Sequence, residues 1–454
     1  MTGIAETYKH SQGYSNPNGS NKLALKDRAI HDWYRFVLSF PPHLVREYLH
    51  KFKLSNNDLI LDPFCGTGTT LVEAKKLGIN NIGIEANHIA YFASKVKVNW
   101  NIDPADLLNH AKKIADNTLL ELKKQGIEDD ILFSDDNSIY DNILTNGKLL
   151  KLSPEKEKLL LKDSISPIPL HKSIILLKHI EAKKDENINE LEKLAFVKTL
   201  VSTASNLHFG PEVGVRKKKY DALIVPSWLN EVRQITDDLL SVKKHNSTIS
   251  KVIFADSRNL EGLIEPASIS AVFTSPPYPN EKDYTRTTRL ESVLLGFLNN
   301  KQELKDMKKR LLRSNTRGVY KTDNDDLFIS SFTEIENIAD TIEKRRIELN
   351  KNSGFEKLYG KVTKLYFGGM YRHFESLRRY LMPGAYLGYV VGDQASYLRV
   401  MIRTGHLLAE IAKSLGYELI NIDLFRTRFA SATREQINEE VVLLRWPGFS
   451  GKIF

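Results

Sequence analysis

With 454 residues, 41% of them hydrophobic, the chain can bury a sizeable core plus an accessory region, a length suited to two or three domains. The formal charge of +9 favours a polyanionic partner, a solvated basic surface being the alternative. One cysteine excludes an internal disulfide and any cysteine-rich zinc site, while a polar N-terminus without long apolar runs excludes a signal segment or membrane span; a soluble, cytoplasmic protein is expected.

Residues 1–30, rich in Asn, Ser, Gly and Lys, are expected to form an arm or a loose cover. Leu59-Ile60-Leu61 is a short apolar strand running into Asp62-Pro63-Phe64-Cys65-Gly66-Thr67-Gly68-Thr69-Thr70. The glycines permit a tight turn against which a ligand can lie closely. Thr69 or Thr70 is placed to cap a helix through Leu71, Val72, Ala74 and Leu77, which Gly78 terminates. A second strand, Ile82-Gly83-Ile84, ends in Glu85. An acid roughly 20 positions after a glycine loop, at the tip of the next strand, suits the hydroxyls of a ribose. The missing third glycine of the dinucleotide fingerprint argues against NAD, and an adenosyl ligand without a pyrophosphate fits better.

The pattern changes over 101–248. Stretches 105–125 and 154–163 read as charged helix formers, and 189–207 as an amphipathic helix with Leu191, Leu194, Val197 and Leu200 among its apolar positions. This insertion contains Phe209-Gly210-Pro211-Glu212-Val213-Gly214-Val215 followed by Arg216-Lys217-Lys218-Lys219-Tyr220. A glycine-flanked loop with four cations can track a phosphate backbone, an exposed charge run being the alternative.

Sheet signals resume at 251–256 and 269–274. The apolar run Ile269-Ser270-Ala271-Val272-Phe273 stops at Thr274-Ser275-Pro276-Pro277-Tyr278. Two prolines fix φ and cannot donate, so the carbonyls around them are held rigidly. A hydroxyl before them and a ring after them make a polar clamp beside a stacking surface, suited to a planar amino group on its ring. A plain Pro-Pro turn is the competing reading. A second polar insertion, 279–360, carries Asp283 and Tyr284 near the clamp and Arg286, Arg289, Arg313 and Arg317 beyond it. The ending is α/β again: a helix around 369–381, Pro383-Gly384, a strand from Ala385 to Val391, and a helix near 406–415 stopped by Gly416. Strands at 418–424 and 440–445 follow, joined by a connection with Arg426, Arg428 and Arg434.

Together these motifs resemble those of the DNA amino-methyltransferases, which use S-adenosylmethionine and methylate an exocyclic nitrogen. Phe64, Gly66 and Gly68 match the family's Phe-x-Gly-x-Gly loop, and Ser275 to Tyr278 match its (Asp/Asn/Ser)-Pro-Pro-(Tyr/Phe) loop. Serine in first place resembles the cytosine-N4 branch more than the adenine-N6 branch. Phe40-Pro41-Pro42 resembles the family's N-terminal cofactor segment, and Asp256-Ser257 its acidic position near the adenine. The resemblance covers 30–100, 250–295 and 365–446.

It implies an α/β fold, doubly wound, with a mostly parallel seven-stranded methyltransferase sheet, an antiparallel closing hairpin and helical insertions. The divisions are 1–100 (arm and cofactor half), 101–248 (candidate target recognition), 249–278 (base loop), 279–360 (candidate DNA contact) and 361–454 (remainder of the catalytic domain). The implied cofactor is S-adenosylmethionine, held by Phe40, Pro41, Asp62, Phe64, Gly66, Gly68, Glu85, Asp256, Ser257 and Thr274. Catalysis falls to Ser275, Pro276, Pro277 and Tyr278, and double-stranded DNA to Arg216, Lys217, Lys218, Arg286, Arg289, Arg313 and Arg317. Cytosine N4 in duplex DNA is the expected acceptor, with a cognate restriction endonuclease as partner. Adenine N6, or an amino group in RNA, is the alternative.

The usual relatives place target recognition after the third strand or at the C-terminus, whereas here the larger insertion separates Glu85 from Asp256. A sulfonium already carries positive charge and a good leaving group, so no metal is expected. Cys65 lies inside the cofactor turn rather than beside the base loop, which excludes a thiolate attack on ring carbon. His43, His88, His208, His373 and His406 are scattered without metal spacing, and Asp393 is either a pocket residue or a strand-end cap.

Overall fold

The computed structural model describes residues 23–449 apart from 37–38, 130–147, 183–184, 211, 243–246, 281 and 431–434. Most of the expected N-terminal arm, and Arg434, lie outside the described residues. Seven strands form the main sheet: β1 (Leu59–Asp62), β2 (Asn80–Glu85), β5 (Ser250–Phe254), β6 (Ile269–Thr274), β7 (Leu381–Gly392), β8 (Glu418–Ala430) and β9 (Glu435–Arg445), in spatial order β5-β2-β1-β6-β7-β9-β8. The first five in that order run parallel, and β9 pairs antiparallel with both β7 and β8. The strand order reverses between β1 and β6, the place where open α/β sheets bind ligands beyond their strand ends.

The central strands are short apolar runs because both their faces are covered. Leu61, Val272 and Leu387 point into one core, and Ile60, Ala271 and Phe273 into another, as the two-residue period of a strand requires. β7 begins four residues earlier than expected and passes through Pro383. The ladder steps from Ile269/Leu381 to Ala271/Tyr386 around that residue, because proline cannot donate to it. The closing strands are also longer than expected, which puts Arg426 and Arg428 inside β8 rather than in a connection.

The region 101–248 supplies helices Pro104–Lys124, Pro167–Ala182, Glu186–Thr199 and Ile224–Val242. Their Leu107, Leu176, Leu194 and Trp228 share one core with Leu71, Val72 and Phe92 of the helices α2 (Thr69–Lys76) and α3 (His88–Lys97). The helix expected at 154–163 is a single turn, Pro154–Glu157. Beyond it Leu159 packs in a small core with Val293, Leu298 and Met307 of the second insertion. The helix expected at 189–207 ends as Glu186–Thr199, followed by one wide turn. A two-stranded antiparallel hairpin, β3 (Leu207–Phe209) with β4 (Val213–Val215), comes next. Among the described residues no helix is long and apolar enough to cross a membrane.

Candidate active site

The loops that leave β1, β2, β5 and β6 all emerge at one sheet edge, and they line a single cavity of about 540 Å³. Two side-chain bonds lock the glycine loop to the Pro-Pro loop. Thr274 Oγ1 donates to buried Asp62 Oδ1 at 2.6 Å, and Thr70 Oγ1 donates to the Phe273 carbonyl at 3.2 Å. Thr70 therefore does not cap its own helix. Gly68, at φ +84°, takes the cap position of α2, a conformation that costs glycine little.

Gly66 donates its N–H to Glu85 Oε2 at 2.9 Å, and Asn87 N–H donates to Oε1 at 2.7 Å. Glu85 lines the cavity, and burial pushes its carboxyl up to about 7. Asp62 lies behind the lining; burial raises it to about 6, and its Oδ2 has no hydrogen-bond partner among the described residues. Phe64 lines the cavity and meets His373 edge-on at 4.9 Å. His373 is itself held between the Ser257 carbonyl and the Tyr389 hydroxyl, which makes it a packing residue of the wall. Phe40 also lines the cavity, against Phe273. Pro41 is buried at the start of the helix α1 (Pro42–Lys51), outside the lining.

Asp256 and Ser257 lie on the same wall. The Asp256 carboxylate is gripped by Arg258 through Nε at 3.0 Å and Nη2 at 2.6 Å, and by the Arg258 N–H. Arg258 reaches in the other direction to Asp325 at 2.6 Å, which Arg372 also holds. Burial opposes the charge of this guanidinium, but the two carboxylates hold it firmly protonated. Neither Arg258 nor Asp325 stands out in the sequence, where an i,i+2 Asp-Arg pair is the trace left by this cluster.

Ser275, Pro276, Pro277 and Tyr278 all border the same cavity. The Ser275 hydroxyl donates its hydrogen to the Val390 carbonyl at 3.0 Å. A hydroxyl has one hydrogen and two lone pairs, so Ser275 Oγ faces any further partner as an acceptor. Tyr278 lies across Gly392, where a Cβ would stand 3.0 Å from its Cε2; glycine there lets the ring settle against β7. Asp283 and Tyr284 complete this side. Burial alone would raise Asp283, but Lys308 at 2.8 Å and Thr285 hold it below the usual carboxylate range.

The expected cations separate into three groups. Arg289 and Arg313 are committed internally: Arg289 to the Thr285 and Leu159 carbonyls, Arg313 to Asp323 and to backbone carbonyls, with its side chain 4% exposed. These two do not present a free guanidinium to a phosphate. Arg286 and Arg317 converge on Glu212, which lines the cavity, though neither arginine is itself in the lining. Arg216, Lys217 and Lys218 are exposed where the chain leaves β4, and Lys218 pairs with Asp163.

Cys65 is buried in the turn, with its thiol pushed up by burial. Asp393 is buried and pairs with Arg403 at 2.5 Å, outside the cavity lining.

A family model described as DNA methylase, covering N6 and N4 enzymes, matches residues 7–95. The chain is 26% identical to the Type II methyltransferase M.BsoBI of Geobacillus stearothermophilus, over 93% of this chain and 85% of that one. It is 26% identical to M.MjaII of Methanocaldococcus jannaschii, over 58% of this chain and 62% of that one. Identity to M.AvaI of Nostoc sp. is 23%, over 91% of this chain and 84% of that one. With the glycine loop and the Ser-Pro-Pro-Tyr loop lining one cavity at the switch point of this sheet, the chain is similar to the N6/N4 DNA methylases over residues 7–95 and to Type II methyltransferases over most of its length.

Proposed function

We propose that this protein is a site-specific Type II DNA methyltransferase that methylates the exocyclic N4 of cytosine in double-stranded DNA, as the modification partner of a restriction endonuclease. The observation that carries the reading is Ser275 Oγ, bound to act as acceptor and set beside Tyr278 in the cavity that Glu85 also lines.

The residues present fit S-adenosylmethionine. Gly66 brings backbone close to the cavity, Glu85 offers a carboxylate to two ribose hydroxyls, and Phe64 offers a flat apolar face. Asp256 and Ser257 line the same cavity and are assigned to the adenine edge. Bound there, the cofactor supplies an electrophilic methyl group on a sulfonium.

An exocyclic amino nitrogen is a poor nucleophile because its lone pair is delocalised into the ring. Ser275 Oγ and the rigid carbonyls beside Pro276 accept from the amino hydrogens, which favours the more pyramidal nitrogen as it attacks. Tyr278 stacks on the base once it leaves the duplex, offsetting a flipping cost of a few kcal/mol.

Glu85 gives the site a pH signature. Its carboxyl titrates at about 7, and the ionised form is the better acceptor for ribose hydroxyls. Cofactor affinity should therefore rise as pH increases toward 7 and level off above it, with proton uptake by buffer on binding below 7. Calorimetry in buffers of different ionisation enthalpy reads both effects. Glu85→Ala should weaken binding by about 1–3 kcal/mol and abolish the pH dependence; unchanged affinity removes Glu85 from the site.

Arg216, Lys217 and Lys218 are proposed to contact phosphates. Neutralising all three should weaken binding to every duplex and flatten its salt dependence, whereas an unaltered slope marks them as solvated surface. Sequencing DNA from cells expressing the protein, with a readout that separates 4-methylcytosine from 6-methyladenine, tests the whole reading. One sequence motif carrying 4-methylcytosine is expected, and 6-methyladenine in its place sinks the cytosine assignment.

A further inference from the structure

We infer that Arg286 and Arg317 form a binding site for one phosphodiester of duplex DNA at the cavity rim, and that Glu212 is a resident anion which the phosphate displaces. The inference rests on the proposed action on DNA and adds a latch to it. Glu212 sits at the tip of the β3–β4 hairpin, Arg286 in the short helix Tyr284–Thr287, and Arg317 in the turn Thr316–Gly318. Each arginine takes one carboxylate oxygen, Arg286 Nη1 to Oε2 at 3.4 Å and Arg317 Nη1 to Oε1 at 3.7 Å.

Both pairs are long, and the Glu212 side chain is 54% exposed. They contrast with the closed Arg313–Asp323 fork a few residues away, at 2.8 and 2.9 Å. Arg317 Nη1 makes no hydrogen bond among the described residues although it is buried, and its guanidinium lies over the Phe355 ring at 5.3 Å. The stacking fixes the plane of a donor that is left unsatisfied. Exposed ion pairs of this length stabilise little. Two non-bridging phosphate oxygens reproduce the two-oxygen pattern of the carboxylate and form stronger charge-assisted bonds.

Glu212 is also the wrong charge for a DNA-facing rim. It lines the cavity with Lys282 beside it, so a phosphate arriving there meets two freed guanidinia once the carboxylate has swung away. The hairpin that carries Glu212 continues directly into Arg216, Lys217 and Lys218. Release of its tip would therefore couple the cavity rim to those exposed cations.

The test measures anisotropy of a fluorescent duplex of arbitrary sequence across a salt series, using the full chain and Glu212→Gln, Arg286→Gln, Arg317→Gln and their combinations. Glu212→Gln is expected to tighten duplex binding about 3- to 10-fold at low salt. Arg286→Gln and Arg317→Gln should each weaken it, and loss of both should lower the salt slope by about 0.9. In the double arginine variant the Glu212 effect should vanish. A folded Glu212→Gln protein that binds duplex no better than the parent overturns the inference. If that variant fails to fold, the arginine variants decide alone, and unchanged affinity and slope overturn it. Parallel cofactor calorimetry and methyl transfer by the parent keep the two failures apart. A parent that methylates duplex but shows no Glu212 effect rejects only the latch, whereas one that neither binds the cofactor nor methylates DNA rejects the enzyme reading.

Discussion

Ser275→Ala is expected to slow single-turnover methylation by roughly 100- to 1000-fold, the scale on which removal of one transition-state hydrogen bond is felt. Duplex affinity should barely change, because phosphate contacts dominate it. The asymmetry follows from the role proposed for Ser275 Oγ, whose hydrogen already goes to Val390, leaving it to accept from the amino group as the nitrogen pyramidalises. Tyr278→Ala should behave differently. It removes a stacking face worth about 1–3 kcal/mol per base, lowering both turnover and the trapping of a flipped base. Gly392→Ala should reproduce part of the tyrosine effect, since the added Cβ would crowd that ring at 3.0 Å. Fluorescence of 2-aminopurine at the target position reports flipping separately from the methylation rate. A Ser275→Ala enzyme running at the parent rate removes the serine from the chemistry.

The largest stability change is expected at Arg258. Its side chain is 8% exposed and binds Asp256 and Asp325 together. Arg258→Met leaves two carboxylates facing each other without their counter-charge, Asp325 keeping only Arg372. Breaking a buried pair from one side typically costs about 3–5 kcal/mol, to be read by urea unfolding with an unchanged slope. Because Arg258 also orients Asp256 on the cavity wall, cofactor KM should rise more than kcat falls. Arg258→Lys should restore part of the stability but little of the KM, since an ammonium cannot grip both carboxylates with a planar fork. A stable Arg258→Met protein with normal cofactor affinity would show that Asp256 needs no such support.

Much of the sheet and its loops is legible in the sequence because the central parallel strands leave a strong local signal. Leu59-Ile60-Leu61 and Ile269 to Phe273 are apolar on both faces and end abruptly at residues that cannot continue a strand. Other elements leave no such trace. Pro167–Ala182 is buried nearly all round, so no polar stripe marks it as a surface helix, and two prolines in its first turn disguise its start. The periodicity of Ile224–Val242, with Trp228, Val232, Ile235 and Leu239 inward, is visible but follows a cation run that reads as loop. Local sequence also cannot show which arginines are free. Arg313 and Arg317 stand four positions apart, yet one is locked to Asp323 and the other pairs only loosely with Glu212. Their partners, Asp323 and Glu212, lie 10 and 105 residues away in the chain. Pairings such as Arg258–Asp325, 67 residues apart, depend on tertiary placement alone.

The most direct measurement is the identity of the methylated nucleoside. Purified protein, duplex DNA free of prior methylation and S-adenosylmethionine carrying a deuterated methyl group would be incubated together, and the digested DNA analysed by mass spectrometry. Because the deuterium comes only from the added cofactor, methyl groups already on the DNA cannot contribute. The proposed role of the Ser275–Tyr278 clamp predicts label in N4-methyldeoxycytidine, accumulating more slowly with Ser275→Ala. Label in N6-methyldeoxyadenosine instead, or in neither nucleoside from a folded, cofactor-binding protein, contradicts it.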